Sequence, residues 1–397
     1  MLNELVFFWS SAAFLAYTYV GYPLLLWIWA TLRPKASRQS PFEPSVTVLV
    51  VAHNEAGIIQ ARLANVLAMD YPREKMEIII ASDGSTDDTV ARAKAYRDWG
   101  VTVVPYPMRR GKAAVLNDLI PRAQGEIVLL ADARQRFEPR VLRCLTAHFA
   151  DSSVGAVSGE LILTGCSAGP AVKEGVGFYW KYEKFIRRNE SRLDSTVGAT
   201  GAIYAIRRRL FQAIPDKTVL DDVLIPMKIV RLGYRVLFEP DARAYDPAAA
   251  TGAVEFARKV RTIAGNFQLF ARERWLLHPF ANRLWLQTVS HKGFRLLCPL
   301  ALAVALGSSL LLAARPLYRG MFWMQVAFYA ASFGGYLARD SAKRLFFLSV
   351  PYTFCLLNWA TVVAFFRVIA RKQNVTWEKA WREEIQLESS RYSRIND

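Results

Sequence analysis

A chain of 397 residues that is 53% hydrophobic and 13% aromatic, yet carries a formal net charge of +17, does not read as a soluble enzyme. Apolar segments bordered by basic residues at an anionic membrane surface account for both features. A nucleic-acid-binding protein is set aside because zinc-type Cys/His spacing, arginine-rich runs and aromatic RNA-binding motifs are missing. Cys144, Cys166, Cys298 and Cys355 lie far apart and read as reduced residues with no disulfide framework.

In chain order, the first element is an apolar run with no charge between Glu4 and Arg33. It exceeds the roughly 20 residues a helix needs to span a bilayer. It is too long for the apolar part of a cleaved signal peptide and lacks the positive start, so it is expected to be a permanent anchor. Arg33, Lys35 and Arg38 follow at once, which places the next residues in the cytoplasm.

A polar middle follows. Ser45–Ala52 (SVTVLVVA) is predicted to be a strand buried on both faces, and Glu55–Met69 has helical spacing. Glu77–Ala81 is a second buried strand, with Ser85 or Thr86 capping the helix after it. Val101–Val104 and Glu126–Leu130 are the third and fourth. Alternating strands and helices predict an α/β domain with a mainly parallel sheet. Ligands bind such sheets at the carboxyl ends of the strands, where Asp83 and Asp132 fall. Neither Gly-x-Gly-x-x-Gly nor Gly-x-x-x-x-Gly-Lys-Ser/Thr is present, which removes the main warrant for dinucleotide or P-loop binding.

Further on, Asp221-Asp222 precedes a helix expected at Val223–Leu232, which Asp222 would also cap. Three more charge-free segments, Leu296–Ala314, Gly320–Ala338 and Leu345–Phe366, are candidate membrane helices. Three further crossings would leave the C-terminus outside, whereas Arg367, Arg371 and Lys372 argue for inside. The organisation expected is an anchor at 1–40, a cytoplasmic domain at 41–272, an interfacial helix with two to three crossings at 273–370, and a polar tail at 371–397.

Val48–Thr89, Arg110–Asn117 and Tyr19–Pro23 together resemble the membrane-bound family-2 glycosyltransferases of GT-A fold. The likeness is to the bacterial branch that includes cellulose, hyaluronan and poly-N-acetylglucosamine synthases. The resemblance implies inverting transfer from a nucleotide-sugar donor to a glycan or lipid-linked acceptor at the plasma (inner) membrane. Partners would be those substrates and membrane lipids, with no nucleic acid and an oligomer left open.

Roles carried over by the resemblance are specific. Asp83 would hold the nucleobase and ribose, with Lys112 and Glu55 assisting at the donor. Asp132 would hold a divalent cation, Mg²⁺ or Mn²⁺, although Arg134 replaces the second acid of the family's Asp-x-Asp. A cation held by one or two carboxylates plus substrate phosphates tolerates that loss. Alternatively Arg134 itself would contact the donor's diphosphate, as a bidentate cation can. Asp222 would be the general base, since an acceptor hydroxyl is a poor nucleophile until a carboxylate takes its proton. Asp221 would orient the acceptor, and Gly198, Thr200 and Gly201 would let it approach. Where processive relatives carry Gln-x-x-Arg-Trp, this chain has Arg258-Lys259-Val260-Arg261-Thr262. Arg258 and Arg261 suit a diphosphate, but the stacking Trp is missing. Phe256, Phe267, Phe270 and Trp275 read as interfacial anchors, any one of which is a candidate stacking replacement. These departures leave a rival reading, a non-catalytic membrane assembly or transport subunit.

Overall fold

The computed structural model describes residues 2–164, 170–247, 252–338 and 346–370. Cys166, Arg371, Lys372 and the 371–397 tail lie outside the described residues. Cys144, Cys298 and Cys355 are free thiols.

The apolar run at the sheet centre becomes β1 (Val46–Ala52), paired in parallel with β2 (Met76–Asp83) and β4 (Ile127–Asp132). β3 (Val101–Tyr106) extends the parallel set beyond β2. Alternate residues feed two cores. Leu49 and Ile79 enter one, while Val48, Val50, Ile78 and Ile80 enter the other. Burying each such side chain contributes about 1.5–3 kcal/mol, which fixes the register because a one-residue slip would exchange the faces.

Four more strands complete the sheet: β5 (Arg136–Phe137), β6 (Val154–Thr164), β7 (Ile203–Arg207) and β8 (Arg235–Pro247). The order is β3-β2-β1-β4-β7-β6-β8-β5. β7 runs antiparallel between β4 and β6, β5 runs antiparallel to β8, and β6 pairs with β8 in parallel. The sheet is thus mainly parallel, as expected, with two antiparallel strands, β7 and the short β5, that the alternating pattern did not foresee.

Two expected caps are corrected. The helix after β2 is Thr89–Lys94 with Asp88 at its N-cap; the Asp88 side chain makes no capping bond, and Asp87 Oδ1 accepts from the Thr89 amide at 3.0 Å. Ser85 is drawn instead into the β1 loop, where its Oγ accepts from the Asn54 amide at 3.0 Å. Likewise the helix near Asp222 is Asp221–Arg231, so both aspartates occupy its first turn and Leu220 takes the cap position. The positive end of the helix dipole favours two carboxylates there.

Among the described residues, three helices are long and apolar enough to cross a membrane: Leu2–Leu32, Trp285–Leu311 and Phe347–Ile369. A fourth, Pro316–Leu337, is long but less apolar. The amphipathic helix Gly252–Arg272 bridges the two regions. Val260 and Ala264 pack on Ala360 and Ala364 of the last span, with Phe256 and Phe267 at the edge of the contact. Phe270 is buried in the sheet core and Trp275 packs against that core, which corrects their reading as interfacial anchors. A residue about five turns along a helix that changes neighbours cannot reveal this by composition.

Candidate active site

The strand ends supply the first charged groups. Asp83 closes β2, and its two carboxylate oxygens accept from the backbone amides of Arg110 (2.6 Å) and Gly111 (2.9 Å). The chain approaches so closely that a Cβ on Gly84 would lie 2.4 Å from the Arg109 nitrogen, and Gly84 itself has φ +63. Only glycine fits that conformation and space together. Asn54, at φ 54, holds the neighbouring loop by accepting from the Thr86 amide at 2.7 Å. Glu55 is buried behind that loop, where its amide donates to Thr89 Oγ1 at 2.7 Å.

Asp132 closes β4. Lys112, first residue of the Lys112–Leu119 helix, donates to its Oδ1 at 2.8 Å and lies 3.5 Å from Asp221 Oδ2. Desolvation works against the Lys112 ammonium, but Asp132 and Asp221 hold its pKa well above the ordinary lysine value. Desolvation also opposes the Asp132 charge, and Lys112, with Arg134 and Arg261, outweighs it and keeps that carboxyl ionised. Arg134 turns to Asp246 at the end of β8, 3.2 Å away. Beneath them Arg62 stacks 4.0 Å over Phe137 and donates to the Gln135 carbonyl. Its burial pulls the guanidinium pKa down to about 9, partly offset by Asp132.

Asp222 faces these groups across a small-residue loop. Ala199 donates its amide to the Asp222 carbonyl at 2.7 Å, and Gly198 adopts φ +85 beside Val223. A Cβ on Gly201 would lie 2.8 Å from Asp222 Oδ2. Thr200 is tied from both sides: its amide donates to Ser158 Oγ at 2.8 Å, and its hydroxyl accepts from Arg187 at 2.6 Å. Among the described residues, no hydrogen-bond donor reaches the Asp222 carboxylate. Desolvation, then repulsion from Asp221, pushes its pKa up to about 6, against the pull of Lys112, Lys292 and Arg187.

The Gly252–Arg272 helix delivers Arg258 and Arg261. It sits directly on the segment before the aspartates: a Cβ on Gly265 would meet Leu220 Cγ at 2.7 Å, and Gln268 accepts from the Val219 amide at 3.1 Å. The Arg261 charge thereby acts on Asp221, Asp132 and Asp222, and that of Arg258 on Asp246.

A cavity of about 900 Å³ gathers much of this. Asp132, Arg134, Thr200, Gly201, Asp222, Arg258 and Arg261 line it, whereas Asp83, Glu55, Gly198, Lys112 and Asp221 do not. Thr262 lines it where the stacking Trp was missing. None of Phe256, Phe267, Phe270 and Trp275 does; Tyr179 and Trp180 of the Pro170–Leu193 helix do instead. Lys259 lies 4.6 and 5.3 Å from their ring centres.

Groups that the sequence left unassigned come from the membrane side. Glu183 accepts from His291 Nε2 at 3.0 Å and from Arg295, and His291 Nδ1 meets Glu190 at 2.9 Å. Tyr22 of the first span donates to Glu190 at 2.8 Å. Lys292 and Arg295 sit inside the Trp285–Leu311 helix, which starts well before the apolar run that marked it. Charges bordering such a run were the available signal, and they read as headgroup contacts.

No group of three or more His, Cys, Asp or Glu side chains among the described residues is arranged to hold a metal. Asp132 engages Lys112 through Oδ1 alone, so Oδ2 fits a cation whose other ligands come from a bound diphosphate.

A family model described as Glycosyl transferase family 2 matches residues 47–214. A probable glycosyltransferase of Bacillus subtilis (strain 168), YdaM, is 25% identical over 236 residues, 56% of this chain and 55% of that protein. A poly-beta-1,6-N-acetyl-D-glucosamine synthase of Staphylococcus aureus (strain MSSA476) is 26% identical over 246 residues, 57% of this chain and 56% of that protein. The matched stretch thus spans just over half the length of these curated relatives. Among solved structures, mannosyltransferase PcManGT from Pyrobaculum calidifontis, in complex with GDP-Man and Mn²⁺, has a TM-score of 0.69. It is 26% identical and covers 90% of this chain and 97% of its own.

Proposed function

We propose that this chain, which carries a glycosyltransferase family 2 domain of GT-A fold, transfers a sugar from a nucleotide-sugar donor to a glycan or lipid-linked acceptor with inversion. The reaction belongs to polysaccharide or glycolipid synthesis at the cytoplasmic face of the plasma membrane. The observation that carries the reading is Asp222: among the described residues no hydrogen-bond donor reaches its carboxylate, burial and Asp221 raise its pKa to about 6, and Asp132 and Arg261 line the same cavity. A general base works best with a pKa near the operating pH and a free proton-accepting oxygen.

In the step itself the acceptor hydroxyl oxygen bonds to the anomeric carbon as the bond to the donor's diphosphate breaks. The hydroxyl proton passes to Asp222, and the nucleoside diphosphate leaves with the bonding pair. Lys112 and Asp221 hold Asp132 and the base in register, and Arg261 faces the charge that grows on the leaving group. Asp83, bonded to the amides at 110 and 111, braces the loop that lines the nucleotide pocket and has lone pairs left for base or ribose. Asp132 Oδ2 would hold a divalent cation, Mg²⁺ or Mn²⁺, which would neutralise the departing diphosphate.

Three crossings suit this topology. Tyr318, near the start of the fourth apolar helix, packs on Phe8 and Leu312, and Gly335, near its end, meets Leu348. On this reading the helix is a link between two spans rather than a crossing. With an outside N-terminus, three crossings return Arg367 to the catalytic side.

A donor screen tests the proposal. Detergent-purified protein is incubated with a panel of nucleotide sugars and Mg²⁺ or Mn²⁺, and released nucleoside diphosphate and products are read. Release with one donor, lost in Asp222→Asn, is expected; a folded protein that binds no nucleotide overturns the reading.

A further inference from the structure

The cavity beside Asp222 does not end at the sheet. The same space is lined by Leu296, Val350, Phe354 and Leu357, which belong to the Trp285–Leu311 and Phe347–Ile369 spans. It therefore runs from the catalytic aspartate into the bundle of membrane helices, where Thr353, Asn358 and Thr361 interrupt the apolar lining.

Toward the spans stand two cations that form no ion pair among the described residues, although Asp222, Glu183 and Glu190 attract Lys292 from farther away. Arg187 and Lys292 both line the cavity, are near enough to repel each other, and both act on Asp222. Arg187 spends one donor on Thr200, a neutral hydroxyl. Among the described residues, Lys292 makes neither an ion pair nor a hydrogen bond. The carboxylates nearby are already committed. Glu183 is held by His291 and Arg295, and Glu190 by His291 and Tyr22. Two like charges in a half-enclosed space cost stability unless an anion joins them. A neutral glycan would give that anion to neither, whereas a phosphate accepts from both.

We infer that the acceptor is a lipid-linked phosphate: its phosphate rests on Arg187 and Lys292, its hydrocarbon chain leaves between the spans past Leu296 and Phe354, and the sugar it carries presents a hydroxyl to Asp222. The inference rests on the transferase reading and narrows its acceptor. It also gives the missing Trp at Thr262 a reason: an acceptor anchored by its phosphate and chain needs no stacking platform to hold it in place.

The test uses the full chain in detergent, saturated with nucleoside diphosphate so that the donor site is filled. Binding of farnesyl phosphate, farnesol and inorganic phosphate is measured by calorimetry. Farnesyl phosphate is expected to bind at least about tenfold more tightly than either other probe, a difference of about 1.4 kcal/mol. Lys292→Gln and Arg187→Gln should each weaken it about tenfold while nucleotide affinity, which also reports folding, stays within about twofold. Farnesol binding as tightly as farnesyl phosphate, or no change in either variant, overturns the phosphate site. Inorganic phosphate binding as tightly as farnesyl phosphate means a free anion occupies it and overturns the lipid. A wild-type chain that binds no nucleotide fails the transferase reading, and the inference falls with it.

Discussion

The two ends of the cavity are built in opposite ways. At the sheet end nearly every charge has a fixed partner: Lys112 with Asp132, Arg134 with Asp246, Asp83 with two backbone amides. At the membrane end Arg187 and Lys292 lie near enough to repel each other, and neither makes an ion pair among the described residues. The first arrangement is pre-organised, so a substrate meets charges already held in place by strand ends. The second is complete only with a ligand. Paired charges position; unpaired ones wait for what they bind.

Several changes would break or sharpen this contrast. The largest effect is expected from Asp222→Asn, which removes the proton acceptor. Turnover should fall on the order of a thousandfold with nucleotide affinity nearly unchanged, read by single-turnover kinetics and nucleotide titration. Unchanged turnover would remove Asp222 as base.

Asp132→Ala opens the paired end. It leaves Lys112 facing Asp221 alone and takes away the cation ligand. Donor affinity should drop about a hundredfold, and the response to added Mn²⁺ should flatten. A retained, saturable Mn²⁺ dependence would place the cation elsewhere.

Gly201→Ala is subtler, because its methyl would stand 2.8 Å from Asp222 Oδ2 and must push the carboxylate aside. Turnover should fall about tenfold while donor KM holds, since displacing a reacting group by a fraction of an ångström spoils its alignment. An equal loss in donor affinity would show that the loop serves the nucleotide instead.

Smallest at neutral pH is the titration of the base itself. Asp222 works ionised, and its pKa stands near 6, so kcat/KM should be flat above that value and fall about tenfold per unit below it. Lys292→Gln withdraws a cation that stabilises the carboxylate, so the acid limb should move to higher pH. A limb that stays put would separate Lys292 from the base.

Much of the sheet end was legible in the residues. β1, β2 and β4 announce themselves as short β-branched runs, and Asp83 and Asp132 stand where such runs stop. The aspartate pair and the glycines at 198 and 201 sit in recognisable local patterns. What escaped is everything that depends on strands or helices meeting from afar. Arg134 looked like a damaged acid position until β8 brought Asp246 to it. Phe270 looked like a membrane anchor until its helix turned out to run from the last span onto the sheet core.

The sequence by itself determined the class of molecule: an α/β domain between apolar helices, with carboxylates at strand ends and an aspartate pair at a helix start. Those features are local, set by periodicity and by residues a few positions apart. Tertiary structure alone decided that β7 enters antiparallel and sets its small-residue loop against Asp222, and that Lys112 bridges Asp132 and Asp221. It also decided that Arg187 and Lys292 line one cavity that reaches the membrane spans. Electrostatic energy depends on distance through space, and a chain records only distance along itself.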